Sequence, residues 1–418
     1  MTVAQLCKSD IKGGAARAAN RLHRGLRENG TESMMYVRNK RGTDDTVRAI
    51  RLSDGLGSRL RRLWRYGRIQ FDFALYRLLR PDHLELFSDD RTLFQGEIIG
   101  ELPEVDVLNL HWIAKFVDIS TFFSQTTAPI VWTLHDMNAF TGGCHYDVGC
   151  GSYESTCGQC PQLGSRREHD LARAVWDRKH AAYETAIRRG RLHIVTPSKW
   201  LAREARRSKL FGRAPIQVIP YGLDHTVFCP RDTENLRLEL GIPESRDVIL
   251  FVAHTTTNHR KGFDLLINAF DKVDIEDVTL VSVGSNEPPI PESLSHVHAG
   301  RIEDDIKLAE FYSMASLFVI PSRQDNLPNT VLEAMACGTP VVGTDAGGIP
   351  DMVRPDETGW LAEIGNVKSL RSAIEAALTD HAEREWKARR CREVVEEEYT
   401  LKRQADKYKK LYKSILKG

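Results

Sequence analysis

The sequence predicts an α/β protein of two doubly wound parallel-sheet domains facing a central cleft. Short β-rich apolar runs alternate with longer amphipathic helical patterns from end to end, as strands joined by crossover helices require, and 418 residues suffice for two buried cores. In the first half, strands are expected at residues 3–7, 33–37, 105–110, 130–134, 192–196 and 217–219, with helices after most of them. Pro220, Tyr221, Gly222, Leu223 and Asp224 then break the pattern with a turn-rich segment, the expected hinge. The pattern restarts with strands at 248–252, 278–283, 317–320 and 341–343, each leading into a helix or a glycine-rich loop. Residues 368–416 read as helical throughout. The expected division is residues 1–220, residues 221–398, and a helical tail of residues 399–418 packing back on the first domain.

Composition excludes several classes of function. With 58 Lys and Arg against 57 Asp and Glu, the formal charge is +1, so no global basic field argues for a nucleic-acid partner and any charged ligand must be met locally. The content is 41% hydrophobic and 28% charged, and the longest apolar runs, such as residues 248–253, are far too short for a bilayer span. Residues 1–10 turn polar at once and do not read as a secretory signal, so a cytoplasmic location with mostly reduced cysteines is expected. Residues 57–80 stand apart: Arg59, Arg61, Arg62, Arg65, Arg68, Arg77 and Arg80 are interleaved with Leu60, Leu63, Trp64, Tyr66, Ile69, Phe71 and Phe73. Such a basic helix suits peripheral contact with an anionic membrane, and equally an ordinary surface helix with its apolar stripe turned inward.

The stretch from Pro321 to Pro340 carries the most chemistry. A strand ending at Ile320 delivers a loop, and Asn329 or Thr330 opens a helix ending at Gly338. The open N–H groups of a helix start and its dipole favour an anion there. Asp325 in the loop and Glu333 one turn into the helix can flank a ligand at that point, and such an acid can accept from two sugar hydroxyls. Thr330 and Glu333 also have the spacing of a capping box, which would make Glu333 structural. Asn258-His259-Arg260-Lys261-Gly262 follows a strand, and its adjacent Arg and Lys can neutralise a diphosphate or form a solvated surface. Gly347 and Gly348 permit close backbone approach to a ligand. Gly13 and Gly14 lead into a helix without the full spacing of a dinucleotide or Walker loop. His135 sits at the C-terminal end of a strand, the ligand-binding edge of open α/β sheets, although a lone His is also commonly structural.

Taken together, the segment Pro321 to Pro340, the pair Arg260 and Lys261, the hinge Val218-Ile219-Pro220-Tyr221-Gly222-Leu223-Asp224, the glycine loop at Gly13 and His135 resemble glycosyltransferase family 4. That family comprises retaining enzymes of GT-B fold, two Rossmann-like domains around a cleft, and the resemblance covers nearly the whole chain. Its signature is two acids separated by seven residues. Asp325 and Glu333 have that spacing, with Asp where Glu is commoner. The resemblance implies that Glu333 binds the donor ribose and that Asp325, with the neighbouring backbone of Asn326, Leu327, Asn329 and Thr330, contacts donor sugar and phosphate. It implies further that Arg260 and Lys261 hold the diphosphate, that His135 approaches the donor sugar, and that Gly13 and Gly14 lie under phosphates and acceptor. His254 stands where many relatives carry Arg, which throws more phosphate charge onto Arg260. The expected donor is a UDP- or GDP-linked sugar and the expected acceptor a glycan, free or lipid-linked, in lipopolysaccharide or exopolysaccharide assembly. Preorganised cations stabilising the leaving group need no catalytic metal and no dedicated nucleophile.

Cys144, Cys150, Cys157 and Cys160, with five, six and two intervening residues, crowd one glycine-rich loop. Four thiolates there can complete a structural zinc site, with His145 as a substitute ligand, while disulfides or free thiols are the alternative. Similar loops occur in family members that assemble surface polysaccharides. Two other activities fit part of the pattern: a glycoside hydrolase using Asp325 and Glu333, which would have no diphosphate for Arg260 and Lys261 to bind, and an inactive sugar-nucleotide-binding protein.

Overall fold

The computed structural model describes residues 1–52, 55–77, 85–94, 96–270 and 277–417. The chain forms two compact units, Met1–Pro220 with Gln404–Gly418, and Tyr221–Arg403.

In the first unit seven strands, β1 (Thr2–Ser9), β2 (Glu32–Asn39), β3 (Val47–Ala49), β4 (Val107–Leu110), β5 (Ile130–Thr133), β6 (Leu192–Thr196) and β7 (Ile216–Val218), form a parallel sheet in the order β3-β2-β1-β4-β5-β6-β7. Helices α1 (Gly14–Glu28), α2 (Leu56–Arg77), α3 (Glu97–Glu101), α4 (Ile119–Gln125), α5 (Leu171–Arg188) and α6 (Lys199–Arg207) connect them. The central strands are apolar on both faces because both faces are covered. Ala4 and Leu6 of β1 join one core with Leu110, Ile130, Trp132 and Phe211, whereas Val3 joins Leu22, Leu26, Val107, Val131 and Val195 on the other face.

The second unit contains α7 (Glu234–Glu239), β8 (Asp247–Thr255), α8 (Phe263–Phe270), β9 (Val278–Ser285), β10 (His296–His298), α9 (Asp305–Met314), β11 (Leu317–Ile320), α10 (Asn329–Ala336), β12 (Val341–Thr344), β13 (Gly359–Ala362), α11 (Val367–Thr379) and α12 (His381–Glu398). Its parallel sheet runs β10-β9-β8-β11-β12-β13. Strands β8 and β11 are neighbours, with Ile249 opposite Leu317 and Leu250 opposite Phe318, so the segments leaving their C-terminal ends emerge side by side.

The last helix, α13 (Leu401–Ile415), begins in the second unit and continues into the first, where Ala405, Tyr408 and Tyr412 pack with Val3, Leu22 and Val131. Tyr412 Oη accepts from Asn109 Nδ2 at 2.8 Å, and Tyr408 Oη lies 2.8 Å from Thr133 Oγ1. These two tyrosines extend a buried polar pair, in which Thr133 Oγ1 donates to Asn109 Oδ1 at 3.0 Å.

Three strands, β3, β10 and β13, lie outside the expected set, and all three are edge strands of three or four residues. Residues 368–416 are helical in three pieces, separated at Asp380, whose side chain caps α12, and at Tyr399 and Thr400, where the tail helix is expected to begin. In α2 no residue is fully buried: Phe73 and Tyr76 pack against the core, but Leu56, Leu60, Leu63, Trp64, Phe71 and Leu75 are exposed, which corrects the reading of the whole apolar stripe turned inward. Arg80 and the end of the expected basic segment lie outside the described residues. Among the described residues no helix is long and apolar enough to cross a membrane.

Candidate functional site

The second unit brings its charged motifs together at the ends of β8 and β11. After β8, Asn258 caps a short 3₁₀ turn, its Oδ1 accepting from the Arg260 N–H at 2.9 Å. That turn presents Arg260 and Lys261 to the loop that follows β11. Lys261 Nζ donates to Asp325 Oδ2 at 2.5 Å, and Arg260 Nη1 lies 3.6 Å from the same oxygen and 2.7 Å from the Gln324 carbonyl. Asp325 Oδ1 accepts from the Asn326 N–H at 3.1 Å. Burial raises the carboxyl's pKa, yet the charges of Lys261 and then Arg260, with these hydrogen bonds, hold it below the usual aspartate value. Asp325 therefore carries a charge inside the unit, balanced by the two cations expected to meet a diphosphate.

Glycines set this geometry. Gly347, at φ +59°, brings its neighbour's N–H to the Asp325 carbonyl, with Gly348 N 3.0 Å away; a Cβ on Gly347 would stand 1.8 Å from that oxygen. Gly262, at φ +72°, passes under the same loop, where a Cβ would stand 1.9 Å from the Pro321 carbonyl. The close approach of Gly347 and Gly348 is thus to the backbone of Asp325. Arg323 completes the clamp: its N–H donates to the Arg260 carbonyl at 2.8 Å and its guanidinium grips Asp264 at 2.8 and 2.6 Å.

Helix α10 starts at Asn329 with Pro328 in the N-cap position and no side-chain cap. Thr330 lies inside the first turn, so the capping-box alternative for Thr330 and Glu333 is not realised. Glu333 is buried and accepts from Tyr312 Oη at 3.2 Å. Asn326 and Leu327 are buried in the approach to the helix.

In the first unit His135 follows β5 and is half-buried beside the buried His111, whose Nδ1 lies 3.1 Å from His135 Nε2; His111 Nε2 is 2.7 Å from Gln5 Oε1. Burial lowers the His135 pKa to about 4, and that of His111 well below its ordinary value, so both rings are neutral near pH 7. The neighbouring Asp136 accepts from Trp112 Nε1 at 2.8 Å and lies 2.6 Å from His145 Nδ1, while His145 Nε2 is 2.9 Å from Ser88 Oγ. His111 and Trp112 escaped the sequence reading, although they follow β4 just as His135 follows β5. Gly13 is exposed, at φ +93°, with open space where a Cβ would point, and Gly14 begins α1.

The structure does not support the zinc expectation. Cys144, Cys150, Cys157 and Cys160 line one pocket, but among the described residues no three His, Cys, Asp or Glu side chains are arranged to hold a metal. Cys150 is exposed and lies 3.1 Å from Ser152 Oγ, while Cys157 Sγ accepts from the Gly142 N–H at 3.1 Å. Burial pushes Cys157 up to about 11, Cys160 up to about 12 and Cys144 well above its ordinary value, which keeps these groups as neutral thiols. His145 is engaged with Asp136 and Ser88 instead of this pocket.

Comparisons with known proteins place this geometry. Among curated proteins, an N-acetyl-alpha-D-glucosaminyl L-malate synthase of Bacillus anthracis is 30% identical over 212 residues, 48% of this chain and 54% of that protein. A sulfoquinovosyl transferase of Arabidopsis thaliana is 30% identical over 42% of this chain and 35% of its own length; the chain thus spans about half or less of these relatives. Solved structures cover it fully: a sucrose-phosphate synthase of Thermosynechococcus elongatus (TM-score 0.70, 20% identity, 99% of this chain and 98% of that one) and Anabaena HepE in complex with UDP and glucose (TM-score 0.66, 15% identity, 99% and 100%). Both carry the two-domain GT-B fold that the parallel sheets describe. Residues 246–380 match the family of Glycosyl transferases group 1, and residues 12–227 match Glycosyltransferase Family 4. The chain belongs to glycosyltransferase family 4.

Proposed function

We propose that this chain is a retaining glycosyltransferase, moving a sugar from a UDP- or GDP-linked donor to a hydroxyl of a lipid-linked glycan at the inner face of the cell membrane, in surface polysaccharide biosynthesis. The observation that carries the reading is the Arg260–Lys261–Asp325 cluster beside the start of α10. Two cations already gathered on one carboxylate need little rearrangement to share a diphosphate, and the N-terminus of α10 at Asn329 and Thr330 adds backbone dipoles of the same sign. Family membership and the UDP-bound solved relative support the donor class.

In this reading Glu333, oriented by Tyr312, accepts from the ribose hydroxyls. Asp325, Asn326 and Leu327 border the donor sugar, and Gly13 and Gly14 offer backbone to phosphates and acceptor, with open space where a Cβ on Gly13 would point. His135, a neutral ring, hydrogen-bonds near the sugar without adding charge. The sugar-to-phosphate C–O bond breaks, the acceptor oxygen bonds to the anomeric carbon from the same face, and its proton passes to the departing phosphate oxygen. The cations stabilise the charge that grows on that phosphate. A glycosidase reading is disfavoured because a glycosidase has no diphosphate for the Arg260 and Lys261 pair to bind.

The test is calorimetric titration with UDP-, GDP- and ADP-sugars, then release of nucleoside diphosphate with and without glycan acceptor. Acceptor-dependent release, cut about 100-fold or more in Lys261→Ala, is the expected result. Binding without release would identify an inactive sugar-nucleotide-binding protein, and release unchanged in Lys261→Ala would remove the assigned site.

A further inference from the structure

Helix α2 (Leu56–Arg77) meets the protein with a mixed polar and aromatic face and turns a separate apolar stripe to solvent. On the inner side, Arg62 reaches Glu97 at 3.3 Å, Arg65 pairs with Asp118 and donates to the Thr92 carbonyl at 2.6 Å, and Asp72 pairs with Arg91 at 2.8 Å. Phe73 packs edge-on against Phe87, and Tyr76 Oη accepts from the Leu171 N–H at 3.2 Å. On the outer side Leu56 is 77%, Trp64 68% and Phe71 74% exposed, with Leu60, Leu63 and Leu75 also exposed.

At about 100° per residue these six side chains fall within one sector of roughly 120°, in which no charged residue occurs. The sector is bordered by Arg59 and Arg77 on one side and by Arg61 and Arg68 on the other. The helix's single acid, Asp72, is the one engaged inward with Arg91. A solvent-facing apolar stripe of this length is not a feature of an ordinary surface helix.

We infer that α2 docks this protein on an anionic lipid bilayer, lying in the interface plane with Leu60, Trp64 and Phe71 in the acyl boundary and Arg59, Arg61, Arg68 and Arg77 on lipid phosphates. Both halves of the stripe match that partner: the apolar sector gains from leaving water, and its arginine borders lie at headgroup level on either side. Pairing with a second copy of α2 would set arginine borders against arginine borders, which like-charge repulsion opposes. The inference deepens the proposed membrane-side acceptor by naming the docking surface and the lipid chemistry, and it stands on α2 itself.

The test is co-sedimentation of the full chain with vesicles of phosphatidylcholine alone, or with about 30% phosphatidylglycerol, alongside analytical ultracentrifugation without lipid. The wild-type chain is expected to pellet with the anionic vesicles and hardly with the neutral ones. Trp64→Ser with Phe71→Ser should weaken that binding about tenfold or more, and Arg61→Gln with Arg68→Gln should remove the preference for anionic lipid. All four positions are exposed, so the variants should keep the wild-type melting temperature and donor titration. Pelleting with neither vesicle, pelleting unchanged in the first variant, or a lipid-free dimer made monomeric by that variant would each overturn the inference. Donor titration reports the nucleotide site separately, so either proposal can fail while the other holds.

Discussion

Asp325 is the side chain where stability and the proposed chemistry meet. Its charge is held by Lys261 and Arg260, so Asp325→Asn leaves two cations without their counterion and should cost about 1–3 kcal/mol, discounted for the partial exposure of the cations. Because the folded carboxyl is more acidic than the unfolded one, its contribution is complete above the unfolded value of 3.8 and disappears as pH falls through the lower folded value. Urea titrations at pH 7 should therefore separate wild type from Asp325→Asn, and the gap should narrow as pH falls below 3.8 and close once the folded carboxyl is protonated. His135 lies on the other side of neutrality: with its pKa lowered to about 4, it stays uncharged from pH 6 to 8. His135→Ala should lower transfer without moving any inflection of the rate–pH profile in that range. Exposure divides the cysteines in the same way, and iodoacetamide at pH 7.5 should label Cys150 well before Cys144, Cys157 or Cys160, as mass spectrometry of timed digests would show.

At the scale of elements, the site is a loop pinned between two glycine-bearing turns. Gly347→Ala or Gly262→Ala would drive a Cβ to within 2 Å of a backbone carbonyl at a positive φ, a clash that only movement of the loop after β11 can relieve. Each should cost about 3 kcal/mol in thermal unfolding and displace Asp325. Gly13→Ala, which meets open space, should show only the milder conformational cost of about 1 kcal/mol. In sequence, close backbone approach is read only at Gly347 and Gly348; contact geometry separates Gly13, which leaves room outside the chain, from Gly262 and Gly347, which let the chain approach itself. Helix α2 shows the same division. Its composition announces a basic, aromatic helix, but the arginines read alike in sequence, and only packing distinguishes Arg65, spent on Asp118 and Thr92, from Arg61 and Arg68 beside the exposed stripe.

For the whole molecule, the C-terminal segment matters to the unit it rejoins. Residues 404–418 supply Ala405, Tyr408 and Tyr412 to the core around Val3, Leu22 and Val131. Deleting them exposes that apolar face and takes the Tyr412 and Tyr408 hydroxyls from Asn109 and Thr133, so solubility should fall and the first unit should lose several kcal/mol of stability. Tyr412→Phe, which removes one hydroxyl, should cost about 1–2 kcal/mol in the same melt.

The alternation of apolar runs and helical patterns by itself determined the two parallel-sheet units, because a strand covered on both faces must be apolar along its length. The acid spacing, the Arg260–Lys261 pair and the strand-end His135 could be read as positions, while their meeting, Arg260 and Lys261 on Asp325, could not. Tertiary structure alone decided the edge strands β3, β10 and β13, which lie at the margins of the sheets and carry no long apolar run. It also decided that Asp325 is an ion-pair partner, that His111 accompanies His135, that the four loop cysteines form no metal-ligand set, and that α2 faces outward. Each of these depends on which distant segments meet, and local composition carries no record of that.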